Sequence, residues 1–282
     1  MVKKQQFIVI GSIVILMGLL LSLEIKGLVK PTEQNDASGS AASSATQTIS
    51  IESVSTIAKQ GIDANLAQEI TAMEARLKNA GGAEKIALQK DLAQKWDDVA
   101  QPAPAALYYE AVAQAEITFE NWLKAGNLFT SAYQSSQDSL MQTGLIQKAI
   151  SSYQKAIEKN SNSLDAKTGL GVAYVSGGTQ GPMQGIQLLQ GVVKEDPKNT
   201  KANMALGRFS MQSGQYEKAI ERFKTVIEQK PDLEAYFLLA TSYESLGMNT
   251  ESIAAYEKSK SLGADPNLTK FVDGKIEELR KN

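Results

Sequence analysis

Lys201, Met204, Arg208 and Met211 follow one another at intervals of three, four and three residues. That spacing stacks side chains along one face of an α-helix. Two cations beside two polarizable thioethers suit an acidic or amphipathic partner segment rather than bond-making chemistry. The chain has neither His nor Cys, which removes histidine bases, thiol nucleophiles, disulfides and the usual zinc ligands together. The glycine-rich stretch 177–185 lacks the Gly-Lys-Ser/Thr ending of a phosphate loop, and Gly169-x-Gly171 lacks the third glycine of a dinucleotide site. Asp97-Asp98 and Glu277-Glu278 are adjacent carboxylates, and helix neighbours point about 100° apart instead of converging on one substrate. The balance of 29 basic and 31 acidic residues, net charge −2, makes no electrostatic case for nucleic acid. No catalytic, cofactor-binding or metal-binding residue is assigned, and binding rather than catalysis is expected.

The elements that position such a stripe recur along the chain. With Thr200 as position 1, Leu206, Gly207, Gly214, Tyr216, Ala219, Phe223 and Pro231 fall at positions 7, 8, 15, 17, 20, 24 and 32. Small Gly207 and Ala219 allow two antiparallel helices to approach closely. Gly214 ends the first helix where a left-handed backbone is wanted, and Pro231 stops the second. The small position repeats as Ala93, Gly126, Gly171, Gly207 and Ala240, at spacings of 33, 45, 36 and 33. The bulky position reads Tyr109, Tyr153, Leu189, Phe223 and Tyr256. Five units fit within 83–265, the first degenerate. The 45-residue spacing leaves eleven extra residues in the second unit, close to three helical turns, so a longer helix pair keeps the same faces inward. The third unit has an enlarged turn at 177–185, and in the fifth Ser252 stands where Ala is expected.

This pattern resembles the tetratricopeptide repeat. The resemblance implies an all-α, right-handed solenoid of helix–turn–helix units. It also implies that positions 2, 5, 9, 12 and 13 of each first helix line a concave, protein-binding groove. Those positions hold Lys201, Met204, Arg208, Met211 and Gln212 in the fourth unit; the third contributes Val172, with Asp165 and Thr168, and the fifth Phe237, Thr241 and Glu244, with Glu234. One subfamily grips a carboxy-terminal carboxylate with a Lys, Asn and Arg set. Here only Asn127 echoes it, and Leu123 stands where the Lys belongs, so that clamp is not expected.

The flanks carry their own signals. Phe7–Leu23 is seventeen residues without a charge after Lys3 and Lys4, long enough to span a bilayer. Residues 1–30 are therefore expected to be a transmembrane signal-anchor in the inner membrane, with the carboxy-terminal domain in the periplasm. Residues 31–48 hold almost no large apolar group and read as a flexible tether with a reach of about 25 Å. Ile62, Leu66, Ile70, Met73 and Leu77 form one apolar stripe in 49–82, expected to pack on the first repeat or to join two copies. Asp265-Pro266 caps a last helix, 266–282, whose apolar face is Leu268, Phe271, Val272, Ile276 and Leu279. The expected function is a membrane-anchored scaffold that holds a peptide or helix of a protein partner, in envelope assembly or secretion. The alternative is a structural, self-associating subunit of a larger membrane complex.

Overall fold

The small-over-large register sets how the helices cross. The computed structural model describes residues 49–177, 181–263 and 265–281. Among the described residues every regular element is helical, with no strand. The expected membrane-spanning run and tether lie outside them, and among the described residues no helix is long and apolar enough to cross a membrane.

Two leading helices, α1 (Ile51–Ala58) and α2 (Ala64–Asn79), precede five antiparallel pairs. Unit 1 is α3 (Gly82–Asp98) with α4 (Pro102–Ala115), and unit 2 is α5 (Phe119–Ser135) with α6 (Ser139–Lys159). Unit 3 is α7 (Leu164–Gly177) with α8 (Pro182–Glu195), and unit 4 is α9 (Thr200–Gln212) with α10 (Tyr216–Gln229). Unit 5 is α11 (Leu233–Ser245) with α12 (Asn249–Leu262), and α13 (Pro266–Lys281) packs on α12. α1 packs on α4, and from α3 onward each helix packs chiefly on its sequence neighbours, as in a solenoid.

Packing follows the small and bulky positions. A Cβ on Gly207 would stand 2.5 Å from the Phe223 ring, one on Gly126 2.8 Å from Tyr153, and one on Gly171 2.8 Å from Leu189. Tyr153 also presses on Gly169 of the next unit, so a single ring is clasped between two first helices. Ser252 is fully buried in place of the expected Ala, and its hydroxyl donates to the Ala240 carbonyl at 2.9 Å, which satisfies the polar atom. Gly214 and Gly247 end α9 and α11 at φ +72° and +70°. Ala100 takes the same place in unit 1 at φ +53°, a conformation that disfavours a Cβ.

Unit 2 absorbs its eleven extra residues as helix. α5 and α6 have 17 and 21 residues, against 13 and 14 for α9 and α10. The added length supports the leading segment, because Ile49 lies so close to Gly144 of α6 that a Cβ there would come within 2.6 Å.

Two expectations need correction. The 62–77 stripe does not lie on one uninterrupted helix. The chain breaks at 59–63 through a 3-10 turn (Lys59–Gly61), and the Asp63 carboxylate caps α2 by accepting from the Asn65 and Leu66 amides. Ile62 therefore precedes the helix, while Ile70 is fully buried and Met73 and Leu77 pack on the core of the first repeats. A polar knot holds these helices to unit 1: Glu74 accepts from Ser55 Oγ at 2.5 Å, Lys59 Nζ at 2.8 Å and Tyr108 Oη at 3.0 Å. Burial, reinforced by the Glu74 charge, pushes the Tyr108 phenol well above its ordinary range. In α13, Val272, Ile276 and Leu279 are buried, but Phe271 is 52% exposed, so it does not belong to the buried face. Asp265 caps that helix as expected, accepting from the Asn267 amide at 2.8 Å.

Candidate functional site

The first helices of units 2, 3 and 4 enclose a cavity of about 580 Å³. Its walls hold residues of positions 2, 5 and 9: Leu123 and Asn127 from α5, Asp165, Thr168 and Val172 from α7, and Lys201, Met204 and Arg208 from α9. Thr130, Ser131 and Gln134 extend the α5 wall upward. Of the groove residues singled out from the sequence, Asp165, Thr168, Val172, Lys201, Met204 and Arg208 thus meet in one space.

Met211, Gln212, Phe237, Thr241 and Glu244 lie elsewhere. Gln212 is exposed at the end of α9, and Met211 packs against the carboxy-terminal core. Phe237 stacks edge-on to Tyr256, ring centres 5.6 Å apart, and lies 6.0 Å from Phe271. Thr241 Oγ1 donates to the Phe237 carbonyl at 3.0 Å and lies 3.3 Å from Tyr256 Oη. Glu244 accepts from Tyr256 Oη at 2.8 Å and from Lys275 Nζ at 2.9 Å. Phe237, Thr241 and Glu244 are therefore engaged by the fifth unit's own second helix and by α13, while Glu234 reaches back to unit 4.

The cavity's charges divide in a similar way. Arg208 pairs with Glu234 of the next unit, and Asp232 caps α11 through the Ala235 amide. Lys201, Asp165 and Asp232 have no ion-pair partner among the described residues and carry the cavity's unpaired charges. Tyr153 forms part of the floor; its hydroxyl donates to Asn127 Oδ1 at 3.0 Å and lies 3.1 Å from Thr130 Oγ1. Burial pushes that phenol up to about 12, with the Thr130 contact opposing. The Thr168 hydroxyl is buried with no hydrogen-bond partner among the described residues, unlike Thr130 and Thr241, which return theirs to the carbonyl four residues back.

Sequence reasoning missed Gln134 and Tyr153 as lining residues, while Thr130 and Ser131 hold positions 12 and 13 of the second unit, groove positions that were named residue by residue only in later units. Gln134 belongs to the lengthened end of α5, so the 45-residue spacing was the signal for it. Tyr153 was read only as the bulky packing residue, a role in which it stands beside Tyr256, Phe223 and Leu189.

Tetratricopeptide repeat models match residues 184–243 and 233–265, so 184–265 carries these repeats by sequence as well as by shape. No curated protein sequence matches the chain. Among solved structures, a tetratricopeptide repeat protein from Parabacteroides merdae is similar in fold, with a TM-score of 0.55 at 18% identity over 82% of this chain and 85% of that one. A second, a MamA protein, is 24% identical over 64% of this chain and 92% of that one, TM-score 0.47. A third, YrrB, described as a repeat protein with an unusual peptide-binding site, is 17% identical over 72% and 98% of the two chains, TM-score 0.45. The fold assignment rests on the repeat models and the first of these structures.

Proposed function

We propose that this protein is a membrane-anchored scaffold that holds a peptide or helical segment of a partner protein in the concave cavity of units 2 to 4. Tetratricopeptide repeats generally serve as protein-interaction scaffolds. The observation that carries the reading is the cavity itself, bounded by three successive first helices and lined by the apolar side chains of Val172 and Met204 together with Lys201, which has no ion-pair partner among the described residues. Such a mixture suits a segment with an acidic group beside an apolar one. The uncharged run Phe7–Leu23 would hold the domain at the inner membrane, with the repeats on the periplasmic side, where envelope assembly and secretion take place.

The rival reading, a subunit that self-associates through 49–80, has less behind it. The apolar residues Val54 and Ile70 of that segment are already buried within the same chain.

The test is photo-crosslinking in intact cells from a probe at Ser131. Lys201→Glu removes the free cation and leaves the Arg208–Glu234 pair in place. Crosslinked partner should fall several-fold with this variant and stay at its wild-type level with Glu217→Lys plus Glu221→Lys on α10. Unchanged yield with Lys201→Glu rules out the cavity as the partner site. Protease added to intact spheroplasts checks the sidedness: digestion of the repeats is expected, and protection until lysis reverses it.

A further inference from the structure

The cavity of units 2 to 4 holds opposite charges that do not neutralise one another. Asp165 of α7 and Lys201 of α9 both line it, and among the described residues neither makes an ion pair or a side-chain hydrogen bond. Ion pairing is ordinary on the same two helices, where Lys167 holds Glu195 at 3.4 Å and Arg208 holds Glu234. Asp165 is not spent on the backbone either. It lies in the first turn of α7, yet the cap there is Ser163, whose Oγ accepts from the Ala166 amide at 3.1 Å. Asp232, the cavity's other acid without an ion pair, does cap a helix, accepting from the Ala235 amide at 2.8 Å. One turn along α7 from Asp165, Thr168 is 2% exposed and its hydroxyl has no partner among the described residues. The α7 wall is thus left unsatisfied at two successive turns.

The α5 wall adds no charge. Asn127, Thr130, Ser131 and Gln134 follow one another along it at helical spacing. Tyr153 Oη donates to Asn127 Oδ1, which leaves the Asn127 amide nitrogen as a donor. Thr130 and Ser131 give their hydroxyl protons to the Gly126 and Asn127 carbonyls, at 2.9 Å and 3.2 Å, which leaves their oxygens as acceptors. Such a wall suits a peptide backbone and is indifferent to side-chain charge. The reading of charge falls to Asp165 and Lys201. Both hold position 2 of their units, so they stand level on successive first helices that touch. Packed helices lie about 8–10 Å apart, and an extended chain advances about 3.3 Å per residue. A segment that crosses the two helices passes from one charge to the other in about three residues.

We infer that the partner segment held here carries a basic side chain as well as an acidic one, the base over unit 3 against Asp165 and the acid over unit 4 against Lys201. The inference rests on the scaffold reading and deepens it by naming the partner's chemistry. Lys201 by itself would admit any acidic segment. Asp165 meets a segment that is acidic throughout as a like charge, just as Lys201 meets a wholly basic one. A segment with both signs at that separation satisfies both groups, and the cavity rejects the others by repulsion.

Photo-crosslinking of the full chain from Ser131 in intact cells tests it, because the two charges are read separately. Lys201→Glu probes the cavity and Asp165→Lys probes the base. Each is expected to lower the crosslinked yield several-fold. Asp165→Asn, which keeps the side chain's shape, should lower it by a smaller factor and decides the matter if the reversal disturbs α7. Glu251→Lys, an exposed acid in the first turn of α12, makes the same change in net charge and should leave the yield at its wild-type level. A segment that is acidic throughout gives the opposite sign: the yield rises with Asp165→Lys, which overturns the proposal and leaves the cavity as the partner site. A yield indifferent to both Asp165 variants has the same meaning. Indifference to Lys201→Glu, or no crosslink from Ser131 in the wild type, overturns the proposal and the cavity reading together. Sequencing the captured segment gives the last check. Lys or Arg about two to four residues from Asp or Glu is expected, and a segment with charges of one sign overturns the inference.

Discussion

The middle and the carboxy-terminal end of the concave face use the same repeat positions and treat them in opposite ways. Position 5 is Met204 in unit 4, which lines the cavity as well as touching the carboxy-terminal core, and Phe237 in unit 5, where Tyr256 and Phe271 hold it. A cation at position 2 of α9, Lys201, has no ion-pair partner among the described residues, whereas Lys275 of α13 is bound to Glu244. What a groove position can do is thus decided by the helix stacked beyond it, not by its own register.

The strongest way to break this contrast is to loosen α13. Ile276 is 5% exposed, and Ile276→Ala is expected to cost about 2–5 kcal/mol. Denaturant melting should show the loss, with faster hydrogen exchange in α13 and around Phe237 and no change around Met204. If exchange rises equally at both, the two ends are not independent.

Alkaline titration probes the middle. The phenol of Tyr153 is raised by burial from an ordinary value of 10 to about 12, so the folded state favours the neutral form. The stabilisation is complete below pH 10 and is lost as pH rises through the folded value, about 2–3 kcal/mol in all. Tyr153→Phe should flatten that part of the pH–stability curve. A curve unchanged by the substitution would assign the alkaline loss to other groups. Tyr256, raised to about 12 by burial with opposing and reinforcing contacts from Thr241 and Glu244, adds a loss of the same sign at the other end. Lys275, raised chiefly by its hydrogen bond to Glu244, also loses its contribution as pH rises.

The smallest effect separates the two cations. Lys275→Glu sets like charges beside Glu244 and should cost up to about 1 kcal/mol, while Lys201→Glu should leave stability within about 0.5 kcal/mol. Thermal melts of the two variants check it; equal shifts would mean that Lys201 has a partner in solution.

The repeat register was legible because it is written in residue size at fixed spacing. Gly126, Gly171 and Gly207 each meet the bulky residue expected of their unit, and the long spacing of the second unit reappears as extra helix in α5 and α6. What escaped the sequence lies between units. The Arg208–Glu234 pair, the claim of α13 on Phe237 and Glu244, and the seating of Ile49 on Gly144 join residues 26 or more positions apart. The break before α2 was missed for a local reason: an apolar period of three and four continues through Ile62, although Asp63 supplies a cap that starts the helix one step later.

The ring of Tyr153, held between Gly126 and Gly169, bears on how such a chain changes in number of units over time. A unit whose bulky residue is accommodated inside its own pair can be copied or excised at its borders and leave its neighbours matched. Units 2 and 3 do not have that independence: a duplicate of either would bring an aromatic ring against a helix without the second glycine, or a glycine with no ring to fill it. The two are a single hereditary module, and a chain that gains or loses repeats should do so on either side of them.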